Sequence, residues 1–237
     1  MWCLPLFLCL LIAAASARAG QALAPAPGAC SQWGQRGALL HQDDFDAPLA
    51  GYVSEYANKP GNVIATRAGR LLIDVDSGAT VWLDKPLSGN VLITYTRRVV
   101  MDGGKNDRLS DFNHFWMARD PNKASLFTRS GKFEDYDNLD LYYAGIGGNT
   151  NTSTRLRRYG NGERAIVGEL LDAAHLLEAN IDYKVDIAVY NGCTRMLVDG
   201  KQYFSYRDPK PHTSGYFGFR TTWSRQSIDH LKIYQLK

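Results

Sequence analysis

The residues best suited to chemistry lie in one stretch, Leu141 to Tyr159, which reads L-Y-Y-A-G-I-G-G-N-T-N-T-S-T-R-L-R-R-Y. It opens with residues of high β-propensity, breaks at Gly145, Gly147 and Gly148, and closes on Arg155, Leu156, Arg157, Arg158 and Tyr159. That is the pattern of two strands joined by a permissive, hydrogen-bonding loop. Three arginines within four residues make an anion-binding array, because guanidinium presents a planar fork that fits a carboxylate or a sulfate. The competing reading is a solvated edge strand that carries Arg against aggregation. An acidic cluster precedes the array. Its Asp135, Asp137 and Asp140 could give oxygen ligands to a structural calcium ion without an EF-hand spacing, or form a solvated acidic loop.

The rest of the chain must position these groups. Its 237 residues, 45% hydrophobic and 22% charged, suit one large globular domain. Residues 1–19 read as a cleaved signal peptide. Leu4 to Ala15 is an apolar run well short of the roughly 20 residues that span a bilayer, and Ala17-Arg18-Ala19 fits a signal-peptidase site. Residues 20–38, rich in Ala, Pro, Gly and Gln, read as a linker or loosely docked arm, and the ordered domain is expected over 39–237. An exported protein follows, periplasmic or extracellular, with no membrane span after signal cleavage. Cys30 and Cys193 then remain as an even pair, either bonded across a loop of about 160 residues or left as two thiols. The net charge of +3 is mild, whereas a nucleic-acid binder would be more broadly basic. Local clustering of Arg points instead to an acidic small ligand or polysaccharide, bound by a monomer.

From Leu39 the chain reads as short β segments separated by turn residues. Glu169–Ala179 is the one patch with a helical pattern. In the C-terminal third, Tyr183, Val185, Ile187 and Val189 alternate with Lys184, Asp186, Ala188 and Tyr190, the period-2 signature of a half-buried strand. Asn191-Gly192 and Asp199-Gly200 then supply tight turns. The run Y-K-V-D-I-A-V-Y-N-G, M-L-V-D-G-K-Q-Y-F, S-G-Y-F-G-F-R-T-T and I-D-H-L-K-I-Y-Q-L resembles the concanavalin A-like lectin/glucanase superfamily over roughly Leu39 to Lys237. More narrowly, it is similar to exported bacterial jelly-roll proteins of unassigned function whose relatives include glycan-active enzymes. The resemblance implies an all-β fold: an antiparallel two-sheet β-jelly roll, a concanavalin A-like sandwich with at most one short helix. Its concave sheet would line a carbohydrate groove. Lectins, hydrolases and lyases share this fold, so it does not select an activity.

Strand parity then gathers a site. If Leu156 faces the interior, Arg155, Arg157 and Tyr159 share the opposite face and Arg158 becomes a spectator. With Phe115 and Met117 assigned to the core, Phe112, His114 and Trp116 face out beside Asn113. With Leu139 and Leu141 inward, Asp140 and Tyr142 face out. With Phe217 and Phe219 inward, Gly218, Arg220 and Thr222 face out. A groove holding His, Tyr, Trp and Arg suits β-elimination on a uronic-acid polysaccharide. Arg155, Arg157 or Arg220 with a nearby Asn would neutralise the carboxylate. His114 or Tyr142 would take the C5 proton, and Tyr142 or Tyr143 would protonate the leaving oxygen. Jelly-roll polysaccharide lyases use a similar vocabulary of Arg, Asn or Gln, His and Tyr; no specific lyase motif is matched, and the individual roles rest on side-chain chemistry alone.

The expected site is therefore His114, Tyr142, Tyr143 and Arg155 for catalysis, with Asn113, Trp116, Asn149, Arg157, Tyr159 and Arg220 for substrate. No cofactor is required, and a structural calcium ion on Asp135, Asp137 and Asp140 is left open beside the solvated-loop reading. Each residue has a plainer role open to it: His114 as a bonded sheet histidine, Trp116 as core, Asn149 as a turn former. The rival functions are a non-catalytic carbohydrate-binding module and a glycoside hydrolase using Asp. The E-x-D-x-x-E motif of laminarinase-type hydrolases is absent from a chain with five glutamates. Zinc spacings, G-x-S-x-G and a P-loop are absent too.

Overall fold

The computed structural model describes residues 30–237. The signal peptide expected over 1–19, and the first part of the expected linker, lie outside the described residues. The strands are β1 (Arg36–Asp43), β2 (Tyr52–Tyr56), β3 (Val63–Arg67), β4 (Arg70–Leu83), β5 (Leu87–Ser88), β6 (Val91–Val99) and β7 (Phe112–Arg119). They continue with β8 (Asp140–Gly147), β9 (Ser153–Gly160), β10 (Glu163–Leu170), β11 (Tyr183–Tyr190), β12 (Cys193–Val198), β13 (Lys201–Arg207) and β14 (Ser214–Leu236). Every pairing is antiparallel, and the architecture is the expected two-sheet jelly-roll sandwich. Among the described residues no helix is long and apolar enough to cross a membrane.

The long strand β14 is the spine shared by both sheets. Along one edge it pairs with β4 and then β1, and along the other with β7 and then β6. Its first part completes a sheet ordered β10-β9-β8-β7-β14, flanked by β4 and β2. Its last part continues into the second sheet, β14-β6-β11-β12-β13. The crossing is made at irregular positions. Register shifts fall between Thr222 and Ser224 and between Asp229 and Lys232, and Trp223 and His230 there take φ of 47° and 54°. Such bulges bend a strand and re-aim one side chain. Both predicted turns form: Asn191-Gly192 and Asp199-Gly200 all have positive φ, as a two-residue hairpin of matching twist requires.

The Glu169–Ala179 expectation needs correction. Glu169 and Leu170 end β10, and Ala173–His175 make a single 3-10 turn started by Asp172, whose side chain accepts from the Ala174 N–H at 3.1 Å. With one half of its apolar pattern spent in a strand, the segment is too short to pack as a helix. The residues just before 39 are docked as well. Gln35 and Lys237 exchange two backbone bonds of 2.9 Å, β1 starts at Arg36, and Cys30 is bonded to Cys193.

Two apolar clusters result. The interior between the sheets takes Phe112, Trp116, Tyr142, Leu156, Phe217 and Phe219 from the first sheet, against Ile93, Tyr95, Val185, Ile187 and Met196 from the second. The outer face of the first sheet carries Trp82, Phe115, Leu141, Tyr143 and Tyr159, covered by Leu126, Phe127, Phe133, Tyr136 and Leu139 of the 120–139 segment. The first sheet is thus covered on both faces. All eight residues of β8 are buried, so its sequence has no polar side to report orientation.

Candidate functional site

On the outer face of the first sheet, beside the 120–139 cover, lies a pocket of about 300 Å³. β7 supplies Asn113, β8 supplies Tyr143 and Gly145, and β9 supplies Ser153, Arg155 and Arg157. Gly145 pairs with Asn113 on one side and with Arg155 on the other, which holds these positions in one row across three strands. Arg108 and Asp111 from the β6–β7 connection, with Phe133 and Thr222, close the sides.

The floor is polar and unsatisfied. Asn113 is 1% exposed and its Oδ1 has no partner, while its Nδ2 donates to Asp111 Oδ1 at 3.3 Å. A Cβ on Gly145 would fall 2.5 Å from the Tyr143 hydroxyl and 2.7 Å from Asn113 Oδ1, so the missing side chain leaves the gap that both groups face. The Tyr143 hydroxyl has no hydrogen-bond partner among the described residues either. Burial raises its pKa, the neighbouring Tyr159 and Asp111 add to this, and Arg220 and Arg157 oppose it. Tyr143 is therefore a protonated donor at neutral pH. Leaving the buried Asn113 Oδ1 dry costs about 1–3 kcal/mol, which favours a polar ligand that reaches it and the Tyr143 hydroxyl beside it.

Cationic groups stand above this floor. Arg157 lies over the Tyr143 ring at 5.6 Å and is paired with no carboxylate among the described residues. Arg155 is half-engaged, its Nε donating to Glu169, the residue opposite it on β10. Arg108 is spent on the wall: Nη1 donates to Asp111 Oδ2 at 2.6 Å and to the Thr222 carbonyl at 2.7 Å. Asn149 reaches the rim from a left-handed turn in which Asn149, Thr150 and Asn151 have φ of 54°, 61° and 59°. For a β-branched Thr this conformation costs on the order of 1–3 kcal/mol. Asn151 holds the turn by two reciprocal bonds of 2.9 Å with the Leu177 backbone.

Residues 73–231 match a family described as a domain of unknown function, DUF6250. The chain belongs to that family. No curated protein matches this DUF6250 chain in sequence. Among solved structures it resembles a Bacillus subtilis protein of unknown function with a galectin-like fold, at TM-score 0.69 and 15% identity over 85% of this chain and 98% of that one. It also resembles LamA of Z. galactanivorans, solved with laminaritriose and laminaritetraose, at TM-score 0.62 and 10% identity over 85% and 100% of the two chains. The carbohydrate-binding module CBM66 of Bacillus subtilis follows at TM-score 0.55 and 9% identity, over 78% and 96%. At these identities the likeness establishes the fold.

Of the expected site residues, the DUF6250 pocket gathers Asn113, Tyr143, Asn149, Arg155 and Arg157. The others are elsewhere, and the assumed parity of β7 and β8 is reversed. His114, Trp116 and Tyr142 point into the sandwich. His114 is fully buried with Nε2 3.1 Å from Met196 Sδ, and Trp116 Nε1 donates to Thr194 Oγ1 at 3.0 Å. Tyr142 donates to Asp208 Oδ2 at 2.7 Å, and burial first, then that carboxylate, raises its pKa. A bulge at Met117, φ 52°, puts Met117 in the interior cluster beside Trp116 and away from Phe115.

Tyr159 and Arg220 do lie on the outer side but beneath the cover. Arg220 is fully buried, bonded to Thr80 Oγ1 and the Gly131 carbonyl and packed on Phe115, Phe133 and Tyr136. Arg158 is tied to Asp208 Oδ2 at 2.8 Å on the inner side, as a spectator would be. The three aspartates do not converge. Asp135 accepts from Ser130, Asp137 pairs with Arg164 and Asp140 with Arg119. Among the described residues the trio with candidate metal-ligand atoms within 4.8 Å of one another is Asp44, Asp229 and His230, where Arg70 stands 3.7 Å from Asp229.

Sequence reasoning missed Arg108, Asp111 and Gly145 as pocket formers. Gly145 was legible as a break in a strand, which can mark close approach of a ligand. The buried His114 gives a separate prediction. Desolvation, then the Arg97 charge, holds its imidazole well below the usual 6.5. The unfolded chain therefore takes up a proton that the folded chain refuses. Stability should be full above about pH 6.5 and decline as pH falls from there toward the lower folded value. His114→Phe should flatten this slope in urea unfolding series. An unchanged slope would assign the acid sensitivity elsewhere, His212 being the next candidate because burial lowers it too.

Proposed function

We propose that this is an exported carbohydrate-active protein whose pocket receives the carboxylate-bearing sugar of an acidic polysaccharide. The observation that carries this reading is Arg157, which among the described residues has no carboxylate partner, beside an Asn113 Oδ1 and a Tyr143 hydroxyl that have no hydrogen-bond partner there. Arg157 supplies the planar fork for a carboxylate, and Asn113 Oδ1 and Tyr143 suit the hydroxyls of the same ring. The disulfide suits an oxidising compartment. Proteins sharing the fold include a carbohydrate-binding module and LamA with its bound laminari-oligosaccharides, which supports a sugar as ligand.

Lyase chemistry is the second reading, and Tyr143 favours it. With Arg157 neutralising the carboxylate, the C5 proton becomes acidic enough to remove. Since His114 lies in the sandwich interior, both proton transfers would fall to Tyr143. To take the C5 proton Tyr143 must first lose its own, which burial opposes and the Arg157 and Arg220 charges favour; the same phenol then passes the abstracted proton to the leaving oxygen. A two-carboxylate hydrolase fits this pocket less well. Asp111 is the one carboxylate in its lining, and Arg108, Ser110 and Asn113 already bond it.

Affinity electrophoresis against uronate-bearing and neutral polysaccharides tests the assignment. Uronate gels should retard the protein, less so at high salt. Arg157→Met should weaken that binding about tenfold or more at unchanged thermal stability. Equal retention on neutral glucans, indifferent to Arg157→Met, would sink the acidic-ligand reading. Ultraviolet absorbance of unsaturated ends separates lyase from binding module: product formation that Tyr143→Phe abolishes supports the first, and binding without product supports the second.

A further inference from the structure

We infer that Trp223 is a sugar-stacking platform that extends the pocket into a longer glycan-binding groove; this rests on the carbohydrate reading above. Trp82 and Trp116 are fully buried, whereas Trp223 is 48% exposed. A large apolar side chain left in solvent at a chosen spot is informative when the backbone is also distorted to put it there. Here it is. Trp223 has φ 47°, a region strained for any bulky residue and free for glycine, at the bulge between Thr222 and Ser224. In a regular strand successive side chains would alternate between the faces, and the bulge breaks that alternation at Trp223.

The platform is joined to the pocket by a shared brace. Thr222, its chain neighbour, lines the pocket. Arg108, another lining residue, lies over the indole at 5.7 Å. Its Nη1 donates to the Thr222 carbonyl at 2.7 Å, the Trp223 carbonyl at 3.2 Å and Asp111 Oδ2 at 2.6 Å. One guanidinium thus fixes the pocket wall, the bulge backbone and the ring together. An indole held this way offers a flat apolar surface of the kind that packs on the C–H face of a pyranose, while Arg157 and Asn113 address charge and hydroxyls. The ligand class that matches both features is an oligosaccharide with one acidic sugar in the pocket and a neighbouring sugar on Trp223.

The test titrates wild type, Trp223→Ala and Trp223→Gly with uronate oligosaccharides of increasing length, and with neutral oligosaccharides as a parallel arm. Wild-type affinity should rise with length, and Trp223→Ala should lose about tenfold on the longer ligands while binding the shortest one normally. Tryptophan fluorescence should shift on binding in wild type and not in the variants. Trp223→Gly should bind as weakly as Trp223→Ala yet melt at a higher temperature than wild type, because glycine relieves the positive φ. A purely structural tryptophan would lower the melting temperature when removed. Unchanged affinity at every length in both variants overturns the platform while leaving the pocket assignment intact. Trp223-dependent binding of neutral sugars alone keeps the platform and overturns the uronate assignment. Absence of sugar binding in any arm overturns both.

Discussion

Removing the Cys30–Cys193 bridge is expected to lower the unfolding free energy by roughly 4–5 kcal/mol, the largest single effect predicted for this protein. The bridge joins residues 163 apart in sequence, so it closes most of the described chain into one loop. In the chain-entropy account, the cost of leaving so long a chain open falls on the folded state, because the unfolded ensemble gains the freedom the bridge had removed. Cys30→Ser combined with Cys193→Ser leaves no lone thiol to rearrange. Guanidinium unfolding of the double variant against wild type measures the difference. A loss under about 1 kcal/mol would show that the unfolded chain keeps the arm near β12 without the bond. β12 belongs to the second sheet and Cys193 is absent from the pocket lining, so the folded variant should bind ligand as wild type does.

The largest functional loss is expected from Gly145→Ala. Its φ is not in the left-handed region, so an alanine meets no backbone strain there. The obstruction is local and polar: the new methyl would sit 2.5 Å from the Tyr143 hydroxyl and 2.7 Å from Asn113 Oδ1. Both groups must shift, and the space between them is filled by carbon. If a sugar hydroxyl bonds both, the substitution removes two hydrogen bonds and adds a clash, about 100-fold in affinity. The fold should lose only about 1–2 kcal/mol, the usual cost of one extra methyl in a packed site. Calorimetric titration beside thermal melting separates the two effects. Wild-type affinity in Gly145→Ala would mean that the ligand does not reach the floor between β7 and β8, and the pocket assignment would fail with it.

The sequence by itself determined the sandwich and part of its orientation. Wherever one strand face is wet, composition reports the other. Leu156 between Arg155 and Arg157, and Phe217 and Phe219 alternating with Gly218 and Arg220, were assigned the faces they take. The glycine-containing turns at Asn191-Gly192 and Asp199-Gly200 carried their own backbone geometry.

Tertiary structure alone decided the rest, for identifiable reasons. The 120–139 segment covers the outer face of the first sheet and the second sheet covers its inner face, so β7 and β8 lost the polar alternation that parity needs, and His114, Trp116 and Tyr142 went inward. The same cover turned Arg220 from a groove residue into a buried one. Bulges at Met117 and Trp223 shift the side-chain phase by one residue, a displacement that no local pattern announces. Arg108 and Asp111 enter the pocket from a connection whose path depends on everything packed around it. The Leu141–Tyr159 stretch kept Arg155 and Arg157 at the site, half-buried beside the cover because a charged side chain keeps contact with water, whereas the aromatic residues beside them could be buried on either side.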